Sequence, residues 1–119
     1  DQVANAVILH RLVALSYVSA CEQADTVMVD FSTGKQEITM LTSNEADCIR
    51  LANDCATACN VCASECLKSE DPKAMATCVS HDLECAELCR VAAGSIARAG
   101  PNMKAICALC AAACRACAG

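Results

Sequence analysis

Apolar residues return at steps of three and four along most of this chain, the period of a helix face. Val3, Val7, His10, Ala14, Tyr17 and Cys21 form one such stripe and predict a helix over residues 3–22. Residues 26–39 (TVMVDFSTGKQEIT) lose that period. Their β-branched side chains around a Ser-Thr-Gly break predict an extended linker or a short strand. Three more helices follow. Thr42 with Glu45 makes a capping box, Ser43 offers a neighbouring cap, and the helix runs to about Ser69. Asp71-Pro72 opens the next helix, with Pro at an N1-like position, and Gly100-Pro101 breaks it after about Arg98. The last begins near Asn102. Short connections between consecutive helices predict antiparallel neighbours. The expected fold is all-α: an up-down antiparallel bundle of three helices, to which the N-terminal helix can add a fourth. The expected division is an N-terminal helix and linker over 1–39 and a helical bundle over 40–119.

Cysteine sharpens this picture. Residues 1–39 hold one, Cys21, and residues 40–119 hold the other twelve. Cys48, Cys55, Cys59, Cys62 and Cys66 step by 7, 4, 3 and 4, so they share an arc of roughly 60° on one helix. Cys78, Cys85 and Cys89 share roughly 40° on the next. Cys107, Cys110, Cys114 and Cys117 share roughly 80° on the last. Each helix therefore points its cysteines along one stripe, where a bundle places its core.

The chemistry follows from that placement. Side chains at i and i+3 or i+4 have Cβ atoms about 5–6 Å apart, so a pair such as Cys55–Cys59 or Cys62–Cys66 offers two sulfurs to one ion. Cu(I) is soft, prefers thiolate and thioether ligands and accepts two-coordinate geometry, whereas Zn(II) asks for four ligands in a tetrahedron. A stripe with almost no His or carboxylate suits many Cu(I) ions. One Cu(I) per thiolate also leaves a buried core near neutral, which avoids the cost of burying bare anions. Four other readings compete. A thiol buffer for Zn(II) would take about one metal per four cysteines. A disulfide framework fits poorly with thirteen cysteines and with divergent same-helix pairs, though oxidation can link facing helices. Iron–sulfur ligands usually come from tight Cys-x-x-Cys runs in loops. Cysteine as core filler would serve no better than another small hydrophobe.

Composition narrows the function further. The net charge is −5, and Lys and Arg form no basic run, which argues against nucleic acid as a partner. The chain has no Trp, one Tyr and one Phe, so beyond Met40 its core must come from aliphatic residues, Met and Cys. Such a core is thin, and bound metal can supply part of its stability. No nucleophile stands with a base partner and no Gly-rich phosphate loop is present, so the expectation is a protein that is not an enzyme. Charged residues interrupt every apolar run before about 20 residues, so no membrane span is expected. Val18-Ser19-Ala20-Cys21 has the form of a lipobox and would imply an exported lipoprotein, but His10 and Arg11 break the apolar region before it. A reducing cytoplasm is the expected home for so many free thiols.

The segments CIRLANDCATACNVCASEC (Cys48–Cys66), CVSHDLECAELCRVAA (Cys78–Ala93) and KAICALCAAACRAC (Lys104–Cys117) resemble the cysteine-rich four-helix copper storage proteins of bacteria. The resemblance covers Met40–Gly119. It implies Cu(I) held by the twelve cysteines from Cys48 to Cys117 inside a bundle, and a homo-oligomer, commonly a tetramer. The sequence departs from the family in lacking its fourth helix beyond Cys117, and residues 1–39 match nothing in it. Two expectations follow: a truncated bundle, or the first 22 residues as the fourth helix with Cys21 as a thirteenth ligand. The second is favoured. Met75, three residues before Cys78, and Met103, four before Cys107, are candidate thioether ligands, with Met75 the better placed for an entrance beside Cys66, Cys78 and Cys117. His81, off the stripe, is a candidate auxiliary ligand with a surface position as its plainer reading. His10 reads as a structural residue.

Overall fold

The computed structural model describes the backbone of residues 2–27 and 43–118, and the side chains of residues 2–20 and 45–118. Among these residues the chain forms four α-helices: α1 (Gln2–Val27), α2 (Ser43–Leu67), α3 (Ala76–Arg98) and α4 (Met103–Ala118). The expected linker over 26–39 and the Thr42 cap fall almost entirely outside the described residues. Thr26 and Val27 belong to α1, which runs five residues past its expected end. The segment after Cys21 is polar but contains no helix breaker, so nothing in it stops the helix.

The helices pack in a square, α1 on α2, α2 on α3, α3 on α4 and α4 back on α1. α1 thus closes the bundle that α2, α3 and α4 leave open. Its buried side chains are Ala6, His10, Ala14, Tyr17 and Val18, one face at helical spacing. The opposite face carries Ile8, Leu9, Leu12 and Leu15, each more than half exposed. Gln2–Ala20 is thereby long and apolar enough to cross a membrane by length and composition alone. The expectation that no stretch reached this length is corrected on that count, because His10 and Arg11 do not outweigh the aliphatic residues around them.

Pro72 opens a 3₁₀ turn over Pro72–Met75, and the Asp71 side chain accepts a hydrogen bond from the Ala74 amide at 3.4 Å. The expected Pro-led helix start is therefore one 3₁₀ turn ahead of α3. The α3 terminus is a Schellman motif: the Gly100 amide donates to the Ser95 carbonyl (2.9 Å) and the Ala99 amide to the Ile96 carbonyl (3.1 Å). The left-handed position is Ala99 (φ 48°), not Gly100. Gly100 is needed for space, since a Cβ there would lie 3.0 Å from Ser95 Oγ. Ala99→Gly relieves the Cβ penalty of the left-handed region, less the entropy lost by glycine, and is expected to stabilise the bundle by about 0.5 kcal/mol. Chemical denaturation of the reduced protein measures it.

Candidate metal centre

The interior is made of sulfur and methyl groups. Ten of the twelve described cysteines are buried, and Cys78 and Cys117 are half-buried. Between them lie alanines such as Ala52, Ala56, Ala86, Ala92 and Ala111, whose small side chains let the helices approach closely. All twelve carry free thiols.

The sulfurs meet mainly between helices. Cys85 Sγ lies 3.4 Å from Cys114 Sγ and 4.0 Å from Cys55 Sγ; Cys55 lies 3.8 Å from Cys114; Cys89 lies 3.5 Å from Cys110 and 3.8 Å from Cys114; Cys66 lies 4.0 Å from Cys78. Cys85–Cys89, at 3.9 Å, is a pair within one helix. The sequence reading placed the pairing along a helix. Facing stripes of Cys and Ala bring sulfurs of different helices to 3.4–4.0 Å, as near as the Cys85–Cys89 pair within α3.

Among the described residues, three groups have ligand atoms all within 4.8 Å of one another: Cys62, Cys66, Cys78 and Asp82; His10, Cys59, Cys85 and Cys117; and Cys55, Cys85, Cys89 and Cys114. They stack along the bundle in that order, with Cys110 beyond the last. Cys48, which donates to the Ala20 carbonyl at 3.4 Å, and Cys107 are buried toward the other end. Two members escaped the sequence reading. Asp82 is fully buried; its Oδ1 accepts from Cys117 Sγ at 3.0 Å and its Oδ2 from Cys78 Sγ at 3.8 Å. His10 is buried, as a structural residue of α1 would be, and its Nε2 also stands 3.1 Å from Cys117 Sγ. Asp82 was detectable as a stripe position, four residues after Cys78 and three before Cys85.

The remaining candidates are placed as follows. Met75 is half-buried in the turn leading to α3. Met103 is half-buried and packs against the core. His81 is exposed and outside the three groups. The Cys21 side chain lies outside the described residues.

Close sulfurs share protons unequally. Hydrogen bonds from Cys114 and then Cys59 hold Cys55 down at about 3, and those of Cys114 and Cys89 hold Cys110 at about 4. Cys85 is lowered by Cys114 and Cys117. The donors move the other way: Cys59 is raised through Cys117, and Cys89 and Cys114 through Cys110. Burial raises Cys62 and Cys78. For His10, burial opposes the charged ring, but hydrogen bonds to Cys55 and Cys85 and the charge of Asp82 outweigh it and push the ring up to about 10. The groups that favour the charged His10 ring are thus Asp82 and two of the lowered thiols, Cys55 and Cys85.

The raised thiols are protonated at neutral pH, so a metal must displace their protons. Metal uptake is expected to release protons, and apparent affinity to fall on acidification by about tenfold per pH unit for each proton displaced. Proton release on anaerobic metal addition, with chelator competition at two pH values, measures this. Uptake independent of pH would mean that these thiols are already ionised.

Fold and site together define a four-helix bundle lined with thiol clusters able to hold metal ions. The chain belongs to the copper storage protein family, whose model matches residues 41–119. It is also 41% identical over 70 residues to an uncharacterized cysteine-rich protein, YhjQ, of Bacillus subtilis strain 168, an alignment covering 59% of this chain. The chain spans 65% of the length of that relative. No solved structure matches it significantly. α1, which supplies His10 and Tyr17, lies outside the family match.

Proposed function

We propose that this chain stores or buffers Cu(I), holding many ions on the thiolates from Cys48 to Cys117, with no catalytic role. The observation that carries the reading is an inversion of the ordinary core. Among the described residues, nine large apolar side chains, including Leu12, Leu67, Leu83 and Leu109, are left exposed, while ten cysteines are buried. Burying a leucine in place of a cysteine would gain apolar area, at roughly 25 cal/mol per Å². Packing therefore does not account for the stripe, whereas soft-metal ligation does. Each Cu(I) cancels one thiolate charge, so the core can fill without accumulating buried charge.

The half-buried Cys78 and Cys117, with Met75 at the same end of the bundle, form the entrance on this reading; Cys48 and Cys107 close the other end. Met103 acts at that closed end as packing, and Cys21 is proposed as a thirteenth ligand. The proposed setting is a reducing cytoplasm, with self-association on the pattern of the family. An anaerobic titration of the reduced protein with Cu(I) against a chromogenic chelator tests the reading. Saturation near one ion per thiol supports it, and saturation at a few ions per chain refutes it.

A second reading, a Zn(II) buffer, has one observation in its favour. A tetrahedral ion bound at about 2.3 Å needs sulfurs roughly 3.8 Å apart, and Cys55, Cys85, Cys89 and Cys114 already stand at 3.4–4.0 Å in the pairs given above. That reading gives about one metal per four cysteines in the same titration.

A further inference from the structure

We infer that His10, Cys59, Cys85 and Cys117 form a separate site for one Zn(II) ion, which ties all four helices together while the thiol store is empty of copper. The inference extends the metal-binding reading and does not need Cu(I) as the cargo. Its first ground is topological. His10 comes from α1, Cys59 from α2, Cys85 from α3 and Cys117 from α4. The other two groups draw on α2, α3 and α4, or on α2 and α3 alone. An ion here is thus the one among the three that would hold α1 to the helices of the family match.

The second ground is the donor set. Three thiolates and one imidazole, mutually within 4.8 Å, are a complete tetrahedral zinc set. Two-coordinate Cu(I) would leave the imidazole surplus; the all-thiolate layer of Cys55, Cys85, Cys89 and Cys114 on one side and the three thiols Cys62, Cys66 and Cys78 on the other serve Cu(I) better. Cys85 is shared with the layer below, whose other three thiols still suffice for Cu(I) in two-coordinate geometry.

The third ground is Asp82. A ligating histidine commonly turns its second ring nitrogen toward a carboxylate, which fixes the ring and raises its basicity. Here Asp82 Oδ1 lies 3.7 Å from His10 Nδ1, while Nε2 is the nitrogen nearer Cys117 Sγ, at 3.1 Å against 3.8 Å. Asp82 is fully buried, and its Oδ1 accepts from Cys117 in the metal-free chain; Cys117 gives up that proton on binding as a thiolate, which leaves the carboxylate to face the His10 ring. Asp82 is a positioning residue and His10 a ligand. Half-buried Cys117 gives the ion a way in.

The test is an anaerobic titration of the reduced full chain with Zn(II), followed by zinc-edge X-ray absorption at one equivalent. The expected result is one tightly bound Zn(II) with one nitrogen and three sulfur neighbours, and a higher melting temperature than the metal-free chain. A shell of four sulfurs would place the ion in the Cys55 layer and overturn the inference, as would the absence of stoichiometric binding. His10→Ala is expected to remove the nitrogen neighbour; its persistence would assign it to His81 and overturn the site. Asp82→Asn keeps the side-chain shape and is expected to weaken Zn(II) by about tenfold or more, with unaltered affinity denying Asp82 its role. Cu(I) capacity of the same preparations is read separately. Its failure removes the cargo reading and leaves the Zn(II) result standing, and the reverse holds.

Discussion

Replacing Cys55, Cys59, Cys62 and Cys66 together by Ala is expected to cut Cu(I) capacity by about a third, from roughly one ion per thiol on twelve thiols to roughly one on eight. The four residues reach into every layer: Cys55 into the lowest, Cys59 into the middle, Cys62 and Cys66 into the uppermost. This makes the variant diagnostic of coordination number. If ions sit between two sulfurs, the layers lose capacity in proportion to the thiols removed. If each layer holds one four-ligand ion, all three lose a ligand at once and capacity collapses. The helices are expected to persist. Each buried Cys→Ala change leaves a cavity of methyl size, costing on the order of 1 kcal/mol. Alanine's higher helix propensity returns up to about 0.7 kcal/mol at each position. Circular dichroism beside the chelator titration separates lost capacity from lost fold. An unchanged capacity would remove the stripe as the binding site.

Much of this architecture is legible in the residues because helical periodicity and cysteine spacing report the same faces. The stripes on α2, α3 and α4 point inward as their arcs predict, and the 3–4 spacing from Val3 to Tyr17 correctly marks α1 as a helix with a face to bury. Less legible is the register between helices. Nothing in the spacing says that Cys85 meets Cys114 rather than Cys110, since that depends on helix length and on where each turn lets the chain reverse. Asp82 was missed for a related reason. A carboxylate within a run of polar residues reads as solvated, and only the approach of α1 and α4 buries it against Cys117 and His10. The stop of α3 was placed correctly, but its left-handed residue is Ala99, because the Schellman hydrogen bonds and the contact with Ser95 decide that geometry. α1 outran its expected end because a polar stretch with good helix formers gives no stop signal.

Tyr17→Ala is expected to be the most destabilising single substitution in the metal-free protein. Tyr17 is fully buried and is the largest of the fully buried side chains. It projects from α1 into a core otherwise made largely of Cys and Ala, where its hydroxyl helps to lower the Cys110 thiol. Deleting a buried aromatic costs about 3–5 kcal/mol, against a total of about 5–15 kcal/mol for an ordinary domain. Small neighbours such as Ala14 and Ala111 cannot swing into the space. A melting temperature lower by roughly 10–20 °C is expected for a chain of this size. α1 should then detach locally and the thiols of α2, α3 and α4 react faster with an alkylating reagent. Tyr17→Phe keeps the ring, loses the hydroxyl and is expected to cost about 1 kcal/mol or less, so the pair separates the packing of the ring from the contribution of the hydroxyl. Metal loading should narrow the gap between Tyr17→Ala and the parent, because ions bridging α2, α3 and α4 supply stability that does not pass through Tyr17. Equal melting temperatures and thiol reactivities in the metal-free state would mean that α1 does not act as the fourth wall, and the core would then have to be closed by another surface.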